Sequence, residues 1–460
     1  MSSDPFESGI AVFGDNLRAG KVSIESAVKF YLDRIEQHNN TLAAYQFVNA
    51  EYALKSAQAL DLLLDSGHDA GPLMGVPIAV KDIITVNGLP VTNGSLHASA
   101  HLNGGEGTLV KKLRSLGCVI LGKTKTVEFA LGATGVNEAR GTPHNPWDLQ
   151  THRLPGGSSS GSAVALAAGL CAFSLGTDTG GSIRIPACYN GLFGHKTSMG
   201  LWPTDGVFPL SPSLDSVGPL CRSARDAALI HEVLNQEKIV QPASLAGLRL
   251  ATPTPLFFDE LDESVANCFD QALLKLRQAG VEIVDLDLPE SLERNQVFPP
   301  IVGAEIISAL GVDEFAAARG KMDSVTAARA AIGLETSAVD YLNAKRRHKE
   351  LKTIAADTFR HVDAWVTPTV PMLPMPVADL QDDNKAQRAL LSSRNTQPGN
   401  LYGLCACSLP IQQVGIPQPE LPVGFQVMMP SDSDAKLLGI AQAIEDIVGH
   451  GPRPDIAYSG

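Results

Sequence analysis

The stretch Leu154-Pro-Gly-Gly-Ser-Ser-Ser-Gly-Ser-Ala-Val-Ala-Leu-Ala-Ala-Gly-Leu-Cys-Ala-Phe-Ser-Leu-Gly-Thr-Asp-Thr-Gly-Gly-Ser-Ile-Arg-Ile-Pro186 decides how the rest of the chain is read. It holds two glycine-flanked serines: Ser158, after Gly156-Gly157, and Ser182, after Gly180-Gly181, 24 residues later. Gly/Ser tracts are often flexible linkers. A linker would not run into the alanines and leucines of residues 163–169, which favour helix. Nor would it meet a second Gly-Gly-Ser before Ile183-Arg-Ile-Pro186. The stretch therefore reads as a structured pair of turns around a short helix.

The whole chain narrows the possibilities. Its 460 residues include 44% hydrophobic and 18% charged residues, a globular balance with length for a large core. The net charge of −13 argues against direct binding to nucleic acid or an anionic membrane, because no basic excess exists to release counterions. Lys345-Arg-Arg-His-Lys349 is a local basic cluster, expected to be a solvated helix face. The seven cysteines are irregularly spaced and read as buried thiols of a reducing compartment. The eleven histidines show no metal-ligand spacing, so neither metal nor organic cofactor is expected. Met1-Ser-Ser-Asp-Pro-Phe-Glu7 has no basic or apolar leader character, and residues 163–175 are too short a run to cross a bilayer. The expectation is a soluble, cytoplasmic protein.

Periodicity outlines the elements outside that stretch. Ile24, Ala27, Val28, Tyr31, Leu32 and Ile35 recur at helical spacing, predicting a helix over 23–38 with Ser23 as its cap. A second helix is expected over 50–64. Residues 77–80 read as a short buried strand that delivers Lys81 at its end. A helix over 107–116, a stop at Gly117 and a strand over 119–121 follow. Beyond the signature stretch come helices over 223–234 and 263–279 and strands over 248–252, 281–286 and 363–369. Residues 288–350 are expected to be a helical insertion or cap lining the substrate pocket. Residues 368–383 read as a proline-rich acidic loop, 401–409 and 421–428 as core segments, and 435–448 as a closing helix. With no fixed-period repeat and no long polar linker, residues 1–460 read as a single α/β domain.

Serine chemistry needs a base, and no Gly-x-Ser-x-Gly elbow with a paired histidine is evident. Gly157-Ser-Ser-Ser-Gly161 formally fits the Gly-x-Ser-x-Gly elbow, but His152-Arg-Leu-Pro155 makes a poor preceding strand. Lys81 is the alternative. A lysine serves as a base only when burial or its neighbours lower its pKa, and Val76-Pro-Ile-Ala-Val80 would bury its stem.

The two glycine–serine clusters, their spacing and the Gly176-Thr-Asp-Thr-Gly-Gly-Ser-Ile-Arg184 run resemble the signature of the amidase signature family of serine hydrolases. Gly75-Val-Pro-Ile-Ala-Val-Lys-Asp82, Asn145-Pro-Trp-Asp148, Ser213-Leu-Asp-Ser-Val-Gly-Pro219, Asp363-Ala-Trp-Val-Thr-Pro-Thr369 and Leu421-Pro-Val-Gly-Phe-Gln426 look like further landmarks in family order, extending the resemblance over about 20–450. It implies a central mixed β-sheet surrounded by helices. It also implies hydrolysis of a carboxamide C–N bond through an acyl-enzyme on Ser182. Ser158, behind a cis peptide bond at Gly157, would bridge Ser182 to the base Lys81. The backbone N–H groups of Thr179, Gly180, Gly181 and Ser182 would form the oxyanion hole. Asp178 and Arg184 flank the nucleophile, and two readings stay open: a pair that orients the loop, or a plain structural ion pair. One departure stands out: the family often has Gly-x-Lys-Pro-Thr where this chain has Gly194-His-Lys-Thr-Ser198.

Three activities share this machinery. The first is a free amidase acting on a small amide and releasing ammonia or amine. The second is the glutaminase subunit of a tRNA-dependent amidotransferase, which usually carries a tyrosine cluster that is lacking between Arg329 and Lys345. The third is a hydrolase of biuret- or allophanate-like urea derivatives. All three triad residues are present, against a catalytically dead scaffold. The expected partner is a small-molecule amide, with no nucleic acid or membrane bound directly; monomer and homodimer both stay open. A malonamidase-like half-amide of a small dicarboxylate would suit an arginine three residues after the nucleophile, but Ile185 holds that place.

Overall fold

Eleven strands form one mixed sheet in the computed structural model, which describes residues 4–242, 244–414 and 421–456. Met1 to Ser3 of the N-terminal segment lie outside the described residues. In chain order the strands are β1 (Tyr45–Val48), β2 (Pro77–Lys81), β3 (Val119–Thr124), β4 (Phe173–Asp178), β5 (Phe193–Lys196) and β6 (Ser216–Cys221). Then come β7 (Arg249–Thr254), β8 (Glu282–Asp287), β9 (Ala364–Pro368), β10 (Cys405–Pro410) and β11 (Gly424–Met429). Across the sheet the order is β1-β3-β2-β4-β6-β5-β10-β11-β9-β7-β8. β2 runs parallel to β3 and β4, and β7 parallel to β8 and β9, while the pairings joining these groups are antiparallel. This is the mixed, helix-covered sheet that the resemblance implies.

The central strands are buried along their whole length, which fits their near-continuous apolar runs. The helix Ser160–Ala167 is buried on nearly every side, because small residues let it lie close against β2, β3 and β4. It begins at Ser160, three residues before the alanine-rich run that signals it in the sequence. Helices Ile24–Leu42, Ala50–Asp65, Thr108–Ser115, Ala224–Asn235, Glu263–Gln278 and Asp434–Val448 lie where periodicity places them. Ser23 caps the first, accepting from the Ser26 N–H.

Three strands, β1, β5 and β6, escape a reading by pattern. β6 contains Gly218 and Pro219, both poor strand formers, yet it lies between β4 and β5. The proline-rich loop expected over 368–383 contains a 3₁₀ turn, Val377–Gln381, and leads into the helix Asp383–Ala389. Residues 288–350 are helical as expected: Arg294–Leu310, Val312–Ala318, Ser324–Glu335 and the start of Ala338–Thr358. The basic cluster at 345–349 is only partly solvated. Arg347 pairs with Glu293 and Glu350, Lys345 reaches Ser213 and Glu305, and His348 is buried. Helical periodicity turns these three toward the body of the protein while Arg346 and Lys349 face water.

A buried ion pair fastens β2 to β3 beside Lys81. Lys123 Nζ donates to Asp82 Oδ1 at 2.9 Å, and Thr92 Oγ1 donates to Asp82 Oδ2 at 2.5 Å. Both side chains of the pair are inaccessible to solvent. Removing one partner strands the other charge, so Lys123→Met should cost about 3–5 kcal/mol in denaturant unfolding. The double variant Asp82→Asn/Lys123→Met should recover much of that loss. Equal destabilisation of the single and double variants would show that the charges do not compensate each other.

Candidate active site

Parallel pairing carries the ends of β2 and β4 to the same edge of the sheet, where Val80 is in register with Leu175. Lys81 and Thr177 therefore meet. Lys81 Nζ donates to Thr177 Oγ1 and to Ser158 Oγ, each at 2.8 Å. Burial pulls the Lys81 ammonium down to about 7, against the opposing attraction of Asp178 and Asp215. A neutral amine is thus accessible near neutral pH.

Ser158 follows a cis peptide bond from Gly157. A Cβ at residue 157 would lie 2.7 Å from Gly135 N and 2.9 Å from Gly132 O, so glycine alone fits there. The Ser158 carbonyl accepts from Val127 N–H and from Thr126 Oγ1. The next N–H, of Ser159, donates to the Ser182 carbonyl at 3.3 Å and ties the two serine turns together.

Ser182 is 8% exposed and lines a cavity of about 430 Å³ with Thr179 and Gly180. Asp178 and Arg184 hold its loop from inside the protein. Arg184 Nε and Nη2 clasp the two Asp178 oxygens at 3.0 and 2.9 Å. The same carboxylate accepts the N–H groups of Gly181 (2.9 Å) and Ile183 (3.2 Å), one on each side of Ser182. Arg184 is completed by the Thr396 carbonyl, Gln426 and Asn400. Burial alone would raise the Asp178 pKa, but Arg184, aided by Lys196 and Asn400, holds it well below the usual carboxylate range. Gly181 has φ +128°, and a Cβ there would come within 2.1 Å of Thr396 Oγ1.

Of the four N–H groups read as oxyanion donors, that of Gly181 is already given to Asp178. Among the described residues those of Thr179, Gly180 and Ser182 donate to no protein acceptor, and all three residues face the cavity.

Asp215 is a site residue that sequence reasoning passed over, although it sits inside the quoted Ser213–Pro219 motif. Thr179 Oγ1 donates to Asp215 Oδ1 at 2.5 Å and the Ser211 N–H to Oδ2 at 2.9 Å. Burial pushes the Asp215 carboxyl up to about 7, with Glu305 adding to the rise and Lys81 opposing it. Glu305, from the helix Arg294–Leu310, accepts from Ser211 Oγ, the Ser213 N–H and Tyr341, linking the helices of 294–358 to this loop.

The departing segment Gly194–Ser198 is packed rather than exposed. Lys196 Nζ donates to the carbonyls of Thr197 and Leu404, while Asp434 binds His195 and the Ser198 N–H. Among the described residues no group of His, Cys, Asp and Glu could hold a metal ion, and no helix is long and apolar enough to cross a membrane. A larger cavity of about 600 Å³, between residues near 6–12 and 450–454, contains none of the sequence-predicted site residues.

Comparison with known proteins shows the family. The Amidase family model matches residues 26–438. The 2-amino-5-chloromuconic acid deaminase of Comamonas testosteroni is 40% identical over 91% of this chain and 92% of its own length. A glutamyl-tRNA(Gln) amidotransferase subunit from Acidothermus cellulolyticus is 34% identical over 93% of this chain and 92% of its own. Among solved structures, the peptide amidase of Stenotrophomonas maltophilia superposes with a TM-score of 0.79 at 25% identity, covering 99% of each chain. A match from residue 26 to 438, with relatives aligned over nearly their full lengths, means that this chain belongs to the amidase family, hydrolases that act on amide C–N bonds.

Proposed function

We propose that Ser182 is the nucleophile, Ser158 the proton bridge and Lys81 the base of an acyl-transfer amidase. The observation that carries this reading is the 2.8 Å contact from the buried Lys81 amine to Ser158, in a turn bonded directly to that of Ser182. Ser182 Oγ attacks the carbonyl carbon, its proton passes to Ser158, and the Ser158 proton passes to Lys81. The N–H groups of Thr179, Gly180 and Ser182 receive the oxyanion, while the Gly181 N–H, bonded to Asp178, fixes the turn. Lys81 then returns a proton through Ser158 to the departing nitrogen, the C–N bond breaks, and an ester on Ser182 remains. Water, deprotonated by the same relay, hydrolyses that ester to a carboxylic acid and regenerates the hydroxyl. Asp178 and Arg184 act as positioning residues.

All the residues assigned to the reaction come from one copy, and monomer and homodimer both fit this reading. Residues 1–460 form one domain in this reading, with the helices of 288–350 as its cap. The seven cysteines, all unpaired and buried, support a reducing, cytoplasmic setting. The substrate is a small molecule. The relatives' names supply the panel to screen: glutamine, a peptide amide and a 2-amino unsaturated acid, together with aliphatic, aryl and ureido amides.

Ser182→Ala should lower kcat by at least about a thousandfold on whichever amide is turned over, with thermal unfolding little changed, since one oxygen is removed. Near-normal turnover would assign the nucleophile elsewhere.

Activity should rise with pH through a midpoint near 7, because the neutral Lys81 amine is the active form. The Asp215 carboxylate favours the ammonium, so Asp215→Asn should move this rising limb to lower pH. Lys81→Ala should harm an amide far more than a matched activated ester, since an alkoxide or phenoxide leaves without a delivered proton. Equal losses on amide and ester, with an unchanged rising limb, would make Lys81 structural only.

A further inference from the structure

Two arginines, Arg294 and Arg329, line the cavity beside Ser182 without an ion pair among the described residues. Arg294 opens the helix Arg294–Leu310, and its Nη1 donates to Gln397 Oε1 at 2.8 Å. Its Nε is buried without a hydrogen-bond partner. Arg329, on the helix Ser324–Glu335, makes one long contact, from Nη1 to the Leu131 carbonyl at 3.5 Å. Among the described residues neither has a carboxylate within 4.0 Å, and no Asp or Glu lines the cavity. The charged residue nearest in effect to Arg294 is Arg394, of like sign, while the more distant Asp323 attracts Arg329.

Four other guanidiniums in this chain meet a carboxylate, Arg184 with Asp178, Arg222 with Asp4, Arg347 with Glu293 and Arg388 with Asp262, whereas the buried Arg394 donates to Asn395 and lines no part of this cavity. An arginine stays charged at any working pH. Two such charges in a largely apolar cavity, on a chain of net charge −13, cost free energy until an anion arrives. The planar fork of each suits a carboxylate. The same cavity is also lined by Leu131, Ile185, Leu210, Phe298, Val302 and Ile332, which suits a short carbon skeleton.

We propose that the substrate is a small amide carrying two free carboxylates, with one docked on Arg294, the other on Arg329, and the amide carbonyl carbon held at Ser182. The inference rests on the reading of Ser182 as nucleophile. Arg184 is spent inside the protein on Asp178, and the available cations come from the helical segment of 294–335 instead.

The test is competitive inhibition of wild-type turnover of a neutral p-nitrophenyl ester. The inhibitors are linear α,ω-dicarboxylates of four to six carbons, monocarboxylates of equal length and the matching diols. The dicarboxylate should bind about tenfold more tightly than the monocarboxylate, and the monocarboxylate about tenfold more tightly than the diol. Arg294→Gln and Arg329→Gln should each raise the dicarboxylate Ki by about tenfold or more, and Arg→Lys at either position should restore part of the loss. A monocarboxylate or diol that inhibits the wild type as well as the dicarboxylate overturns the two-cation site, without depending on how the variants fold. A dicarboxylate Ki that is unchanged in folded Gln variants overturns it equally. Ser182→Ala read on the same ester separates the two claims: retained hydrolysis sinks the nucleophile, whereas abolished hydrolysis with a flat inhibitor series sinks only the substrate class.

Discussion

The geometry of the proposed active site depends on one buried ion pair, Asp178 with Arg184. Neither side chain reaches solvent, and every strong hydrogen-bonding direction of the pair is used. Asp178 takes the N–H groups on both sides of Ser182, so the loop cannot turn without exposing a bare carboxylate to apolar surroundings. Arg184 fastens the same carboxylate to residues 396–426. A serine on an otherwise glycine-rich turn is thereby held at the cavity wall. Of the two readings left open by the sequence, these contacts favour a pair that orients the loop over a plain structural ion pair.

Around that anchor, the sheet does the bringing together. Lys81 lies 77 residues before Ser158 in the chain, and Ser158 lies 24 before Ser182. Parallel β2 and β4 end at one edge, and the helix between them starts at the same edge, so three distant turns converge. The burial that makes this convergence rigid also lowers the lysine's affinity for a proton. Packing and the acid–base chemistry proposed for this site therefore have the same cause. Asp215 extends the coupling, because its carboxyl touches the loop through Thr179 and sits within electrostatic reach of Lys81.

Much of this was legible in the sequence because it is local. Glycines at 157 and 181, where no Cβ fits, mark both serine turns, and the apolar run before Lys81 marks a buried strand. What was not legible is what arrives from far away. Asp215 sits in a motif whose chemistry shows only when Thr179 and Lys81 come near it. β6 was hidden because Gly218 and Pro219 speak against a strand, and its neighbours in the sheet decide otherwise. The fate of the Gly181 N–H, taken by Asp178, is a matter of distance, not of residue type. Arg294 and Arg329 are ordinary helix residues by pattern, and only the cavity they share sets them apart.

The claim that the Asp178–Arg184 pair holds Ser182 in its reactive position is tested most directly with Asp178→Asn. The side chain stays the same size but loses the charge that grips Arg184. The measurement is the second-order rate at which a fluorophosphonate labels Ser182, read by intact mass beside the thermal unfolding of the same sample. The account predicts that labelling falls by at least about a hundredfold in protein that remains folded. Labelling at the wild-type rate in the folded variant would contradict it, and would mean that the Ser182 loop keeps its shape without the buried charge.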